Sequence, residues 1–368
     1  MGRYFTEKKN PKGGFVKFSN ADGKVWIMPV VHLALAMGIY QPSAFKGKLI
    51  KLFLPYFYWF PKLNWLIDIE FVDVVIDKDV ECSIKNVLGI GSFFFSIYEG
   101  TPSVHKKMTM QIWQEKQILA YCKLSNSVDV KEILFNEREM LNSLNDKGLG
   151  DNIPTCFYCD KIKVGGDDII FIESTIKSVN SKIVNSFSDE HLDFLVSLHK
   201  NTKVKIDYNR SNLAKSIDYL ESQLFRFSSS EKECIVSNLE RVRFFYSASK
   251  CEFSLYHGDF TPWNMFLTNE KLFVFDFEYA GATYPPFLDW FHFFTQTAIC
   301  VNKMNADEIV KLFANSNVQI KRYCGDVNFL YSVYILDIIS KYLKREKGEL
   351  SIETESLMDI WLRILFLL

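Results

Sequence analysis

The rhythm of hydrophobic and polar positions changes along the chain, and each change marks a different kind of element. In the first eighty residues two short β-rich runs, GFVKFSN and KVWIMPV, flank Ala21-Asp22-Gly23, a hairpin signal. They lead into AFKGKLIKLFLPYFYWFPKLNWLI, where Lys46, Lys48, Lys51 and Lys62 punctuate aromatic and aliphatic residues and Pro55 and Pro61 cut a helix short. From about residue 82 the pattern predicts strands over IKNVLGIGSFFFSIYEG, MTMQIWQ and QILAYCKLS. A helix follows in VKEILFNEREMLNSLND, whose Ile133, Leu134, Met140, Leu141 and Leu144 recur at helical spacing. TCFYCDKIKV and IIFIEST read as strands about a turn at Gly165-Gly166-Asp167-Asp168. Beyond residue 180 helices dominate, DEHLDFLVSLHKNT and AKSIDYLESQLFRF among them, interrupted by a strand-like stretch at 253 to 277. The expected class is α+β, with an N-terminal extension over 1–80, a small β-rich lobe over 81–176 and a larger, mainly helical lobe over 177–368.

Composition narrows the picture. Hydrophobic residues make up 48% of the chain and charged residues 24%, the balance of a folded protein rather than a disordered one. A formal net charge of -1 lacks the basic excess of a general nucleic-acid binder, so no nucleic-acid partner is expected. The start, MGRYFTEKKNPKGG, has no secretory pattern, and the eight cysteines are scattered, which points to a reducing, cytoplasmic setting. Cys156 and Cys159 form a CxxC without the second pair of a zinc ribbon, and are read as ordinary buried thiols. No apolar run reaches the roughly 18 to 20 residues of a membrane span. Residues 46–66 fit either a surface helix and loop packed on the neighbouring lobe or a peripheral contact with the cytoplasmic face of a membrane.

The chemistry concentrates in LYHGDFTPWNMFLTNEKLFVFDF, residues 255 to 277. A turn containing Pro262 would bring Asn264 back towards Asp259, and the adjacent strand could deliver Asp276 to the same end. One carboxylate and one amide oxygen suit Mg²⁺, a hard cation that takes its remaining oxygens from water and phosphate. The other carboxylate is then free to orient a hydroxyl and accept its proton. HGDFTPWN followed by VFDFE resembles the catalytic loop and metal-binding segment of the aminoglycoside phosphotransferase and choline kinase-like families, relatives of protein kinases.

That resemblance implies a bilobal, protein kinase-like fold and an ATP- and Mg²⁺-dependent phosphotransferase, with Asp259 as catalytic base and Asn264 and Asp276 as metal ligands. Lys123, inside an apolar strand, would bind the α- and β-phosphates and be held by a helix glutamate, Glu137 or Glu139; the family's spacing from that glutamate to Leu144 favours Glu137. Gly89, Gly91 and Ser92 could form a β-turn-β loop whose N–H groups approach phosphates. Backbone groups from Glu173 to Ile176 would face the adenine, Asp289 would brace the catalytic loop, and His257 would fix it. The resemblance is sharp over the catalytic segment, extends in organisation over residues 82 to 345, and leaves the first eighty residues unaccounted for. A sugar or glycan hydroxyl, the glycan being lipid-linked in one version, is the favoured acceptor; DFEYAG resembles choline and ethanolamine kinases and supports a second, and aminoglycosides are a third. A pseudokinase that binds nucleotide without turnover is the alternative of another class.

Overall fold

Within Val25–Pro29, Trp26 and Met28 join one apolar cluster and Ile27 another, the period-two alternation of a strand buried on both faces. The computed structural model describes residues 3–42, 45–59, 67–100, 106–162, 164, 166–247, 250–347 and 349–368; Pro61, Lys62 and Gly165 of the segments above lie outside them. Two units emerge, the first comprising Met1–Asp146, Gly150–Ile183 and Phe266–Glu278, the second Lys147–Leu149, Val184–Met265 and Tyr279–Leu368.

The first unit is built on a sheet whose described strands number nine. In spatial order they are Phe5–Lys9, Glu70–Ile76, Phe15–Ser19, Val25–Pro29, Phe94–Glu99, Met108–Gln114, Gln117–Ser125, Asp168–Ser174 and Cys156–Ile162, antiparallel throughout. One face packs Ile97, Met110, Cys122, Leu124 and Ile170 against Val80 and Ile84 of the helix Lys78–Leu88. The other covers Trp26, Met28 and Trp113 with Leu33 to Tyr40 and with Ile50 and Leu54 of the helix Phe45–Phe57. The hairpin read at Ala21-Asp22-Gly23 joins Phe15–Ser19 to Val25–Pro29, with Gly23 at φ 75°.

Two expectations change here. Residues 1–80 supply four strands to the sheet that carries Lys123, so they extend that lobe rather than forming a body of their own. The chain also leaves the first unit at Ile183 rather than at 176, and Phe266–Glu278 returns to it from the segment assigned to the helical lobe. The reason is local pairing: Lys182 bridges Leu267, and the hairpin Met265–Thr268 to Lys271–Val274 is pinned where Asn152 donates to the Leu272 carbonyl at 2.8 Å. Residues 84–88, expected to be strand, lie in the helix Lys78–Leu88. The Asp77 side chain accepts the N–H groups of Asp79 and Val80, and Gly89 closes the last turn at φ 66°. Cys156 and Cys159 sit on one strand as free thiols, like the other six cysteines.

The second unit is mainly helical. Asn212–Ser222, Ser229–Tyr246, Leu288–Gln296 and Ile352–Leu367 pack around Val327–Arg345, which is buried along most of its length; Ala306–Ser316 packs on Ile352–Leu367, and Asp189–Thr202 on the strand Cys251–Tyr256. Among them runs a small sheet of Val204–Ile206, Cys251–Tyr256 and Gly281–Tyr284, and the chain leaves Tyr256 directly into the loop that carries Asp259.

Candidate active site

In the first unit the helix Val128–Leu144 buries Val130, Leu134, Glu137, Leu141 and Leu144, so a carboxylate occupies the middle of its apolar stripe. That position is tolerable because Lys123 on the neighbouring strand points its ammonium at it: Nζ lies 2.7 and 2.8 Å from the two Glu137 oxygens. The same Nζ is 2.9 Å from Asp276 Oδ1 and 3.4 Å from Glu173 Oε1. Glu139, the other candidate partner, lies on the exposed side of the helix beside Arg138. The Phe277 N–H donates to Glu137 at 3.1 Å, which ties the helix to the segment after Asp276. Asp276 itself sits at φ 69°, a conformation that Asp and Asn adopt more readily than most residues.

A second ammonium, absent from the sequence reading, completes the cluster. Lys107 hydrogen-bonds Asp276 Oδ1 at 3.2 Å and the Glu278 carboxylate more closely still. Burial would lower the pKa of Lys123, but Asp276, Glu137 and Glu173 outweigh it and hold the ammonium charged. Burial would likewise raise Asp276, yet Lys107 and Lys123 hold it well below the usual carboxylate range. For Glu137, Glu173 and Glu278 burial wins, and all three are pushed up. Four carboxylates thus meet two ammoniums, and a divalent cation among them would favour the ionised forms that burial disfavours. Glu137, Asp276 and Glu278 bring carboxylate oxygens within 4.8 Å of one another, a hard-oxygen set that fits magnesium.

Strand register corrects the expected phosphate loop. Lys123 pairs with Thr109, and Thr109 with Tyr98, near the Glu99 end of its strand. Gly89, Gly91 and Ser92 precede Phe94 at the other end, with about 13 Å of strand between Phe94 and Tyr98. At the Lys123 end, Lys107 directly precedes Met108 and shares Asp276 Oδ1 with Lys123. Glu173 also differs from expectation. Its backbone is paired between Tyr121 and Cys156, and its side chain turns to Lys123, so only Thr175 and Ile176 of the stretch 173–176 run past the strand.

In the second unit the loop after Tyr256 is held from several sides. Asp289 accepts the N–H groups of His257 at 2.9 Å and Gly258 at 3.1 Å, and His257 Nδ1 accepts the Asp259 N–H at 3.1 Å. Lys341 donates to the Gly258 carbonyl. Gly258 sits at φ 78°, and a Cβ there would lie 2.5 Å from the Tyr279 carbonyl oxygen, so no other residue fits. Phe260 anchors the loop in a ring cluster, stacked on Phe194 at 5.8 Å.

The loop presents Asp259 with both oxygens engaged. Asn264 donates its amide to Oδ2 at 2.8 Å and to the Asp259 carbonyl at 2.9 Å, which leaves the amide oxygen for a cation. His292, missed in the sequence, lies 3.1 Å from Oδ1, and the Tyr334 hydroxyl reaches its Nδ1 at 3.3 Å. Burial lowers the His292 pKa, which favours the neutral ring; the tautomer that donates Nε2–H to Asp259 leaves Nδ1 to accept from the Tyr334 hydroxyl. Burial would raise Asp259, but the His292 bond and the Lys341 charge win and keep it ionised.

His292 is therefore a positioning residue for Asp259. His292→Phe removes the donor that depresses the Asp259 pKa, so that carboxyl should titrate at higher pH in the variant. An NMR titration of the Asp259 carboxyl from acid to neutral pH tests this; an unmoved midpoint would rule the role out.

No family model and no curated protein matches the sequence. Solved structures do. A thermostable mutant of aminoglycoside phosphotransferase APH(4)-Ia, in its apo form, superposes on 74% of this chain and 92% of its own at a TM-score of 0.51, with 9% identity. Amicoumacin kinase hAmiN matches 78% of this chain and 93% of its own at a TM-score of 0.46 and 9% identity. A gentamicin complex of APH(2″)-IIa matches 79% and 96% at 0.45 and 15% identity. The fold is the protein kinase-like fold of the aminoglycoside phosphotransferases, as the sequence resemblance implied.

Proposed function

We propose that this protein is an ATP- and Mg²⁺-dependent phosphotransferase that moves the γ-phosphoryl group of ATP to a hydroxyl of a small molecule, with a sugar or glycan as the favoured acceptor. The observation that carries this reading is the Lys123 ammonium, bonded at once to Glu137 and Asp276 inside an apolar lobe. A buried lysine with several carboxylates is costly as structure alone, and is what phosphate binding beside a metal requires.

In this reading Lys123 steadies the α- and β-phosphates and Glu137 fixes its direction. Asp276 and Asn264, with Glu278 beside Asp276, would hold the magnesium, whose charge neutralises that of the phosphates. Thr175 and Ile176 offer backbone groups to the adenine. Asp259, aimed by Asn264 and His292, takes the proton of the acceptor hydroxyl as its oxygen bonds to the γ-phosphorus, the bond to the bridging oxygen breaks, and ADP leaves. Positioning and charge neutralisation are the main demands of this chemistry, and these few groups supply both.

Lys107 occupies carboxylates that the cation would use. Lys107→Met should therefore tighten Mn²⁺ binding to the nucleotide-free protein about tenfold, read by the resonance of free Mn²⁺. Unchanged or weaker binding would mean that Lys107 does not compete with the metal.

Two alternatives remain. Choline or ethanolamine would need an aromatic cage. Of Tyr279, Tyr284, Trp290 and Phe294, the rings the sequence offers for one, Trp290 and Phe294 stack on each other within a packed aromatic cluster, and Tyr279 already carries the Lys341 ammonium 4.7 Å from its ring centre. A pseudokinase would have lost the base, a metal ligand or the lysine, and candidates for all of them are present here. The deciding experiment incubates the chain with γ-labelled ATP and Mg²⁺ and a panel of aminoglycosides, sugars, lipid-linked glycans, choline and ethanolamine. A labelled acceptor names the class, and tight nucleotide binding with no labelled acceptor favours the pseudokinase. Failure to bind nucleotide at all would end the phosphotransferase reading.

A further inference from the structure

The helix Phe45–Phe57 buries Gly47, Ile50 and Leu54 against the sheet, and a surface helix would ordinarily carry polar residues on the face opposite. Here it does not. Leu52 lies two positions after Ile50 and two before Leu54, about 200° around the helix from each. It is 60% exposed, and Phe45 and Tyr56, on the same stripe, are 77% and 67% exposed. Phe53 and Phe57 widen the patch, touching each other at 6.3 Å between ring centres. A stripe of this kind costs free energy in water unless something covers it.

Charge identifies the cover. Lys46 and Lys48 are exposed on the same helix and flank the stripe, while Lys51 spends its ammonium on the Tyr40 carbonyl at 2.8 Å. No acidic residue occurs between Asp22 and Asp68, in a chain that otherwise balances 43 basic against 44 acidic residues. A second protein could meet the apolar stripe with either sign of charge, but lysines beside aromatic and aliphatic side chains, in a stretch of sequence without acidic residues, match an anionic bilayer surface. Among the described residues no helix is long and apolar enough to cross a membrane, so the contact would be peripheral.

We infer that this helix is a docking surface for an anionic lipid bilayer, its lysines meeting the headgroups and Phe45, Leu52 and Tyr56 entering the acyl boundary. The inference rests on the first unit alone and is independent of the phosphotransfer reading, since vesicle binding needs no turnover.

The test is cosedimentation of the full chain with vesicles of about three parts phosphatidylcholine to one of phosphatidylglycerol, and with phosphatidylcholine alone. Wild type should pellet with the anionic vesicles and be released as salt rises from about 0.1 M to about 1 M, where the screening length falls from about 10 Å to about 3 Å. Lys46→Gln with Lys48→Gln should lower partitioning about thirtyfold, at about 1 kcal/mol for each lysine. Leu52→Ser with Tyr56→Ser should lower it at least as much; all four side chains are exposed, so melting temperatures should be unchanged. If the serine pair unfolds, the lysine pair still decides. Wild type left in the supernatant, or variants that pellet as well as wild type, would overturn the proposal. So would a lipid-free dimer that the serine pair dissociates, because the stripe would then belong to a second copy.

Discussion

Asp259→Asn is expected to lower turnover about a thousandfold while leaving nucleotide affinity within about threefold of wild type. The substitution removes the proton acceptor and little else. The amide it introduces can turn its oxygen to the Asn264 donor that now meets Oδ2, and its nitrogen to His292. His292 can accept that new donor by moving its own proton to Nδ1, where the Tyr334 hydroxyl becomes the acceptor. The loop thus keeps its hydrogen bonds, and a lost rate would report lost basicity rather than a collapsed site. Turnover of any labelled acceptor, or of water where no acceptor is found, is the measurement. Equal rates for the two proteins would exclude Asp259 as base.

Asp276→Asn should act on the other side of the reaction, weakening binding of the metal–nucleotide complex at least about a hundredfold, some 2.7 kcal/mol. The variant should still fold, for two reasons. Asn tolerates the left-handed backbone at φ 69° as well as Asp does. The cluster also has carboxylates to spare: with Asp276 neutralised, Glu137, Glu173 and Glu278 still face Lys107 and Lys123. Calorimetric titration with Mg-ADP, beside a melting curve, separates the two effects. Unchanged Mg-ADP affinity in a folded variant would remove Asp276 from the metal site. A variant that melts early would instead assign it a structural part.

Much of this was legible in the sequence where a signal is local. Asp259, Asn264 and Asp276 share one short segment whose spacing reflects a turn and a hairpin. Glu137 could be favoured over Glu139 by the resembled family's spacing from the glutamate to Leu144, and in the structure Glu137 and Leu144 share the buried stripe of the helix. The signals for the helix Lys78–Leu88 were also local. Asp77 caps its start and Gly89 ends it, but glycines at 89 and 91 beside a phenylalanine run read more strongly as a strand and loop. Lys107 and His292 had no such signal. Lys107 meets Asp276 across 169 residues and His292 meets Asp259 across 33, and only the folded arrangement of strands and helices brings either pair together. Glu173 lay in plain sight, but the direction of a side chain from an almost wholly buried strand depends on the register of both neighbours.

The nine-stranded sheet has one further consequence, for how the molecule avoids its own kind. A sheet's outermost strands offer unpaired backbone groups to any passing strand, and the longer and flatter the apolar edge, the greater the hazard. Among the described strands one border is Phe5–Lys9, whose last four residues, Thr6, Glu7, Lys8 and Lys9, are all exposed, and the other is Cys156–Ile162, where Phe157 and Tyr158 are exposed beside Asp160 and Lys161. Between them lie strands such as Val25–Pro29, buried at every position. On the N-terminal side the strands therefore form a charged hem, which carries that border outward from a buried strand to one whose exposed residues are polar and less open to pairing with another copy.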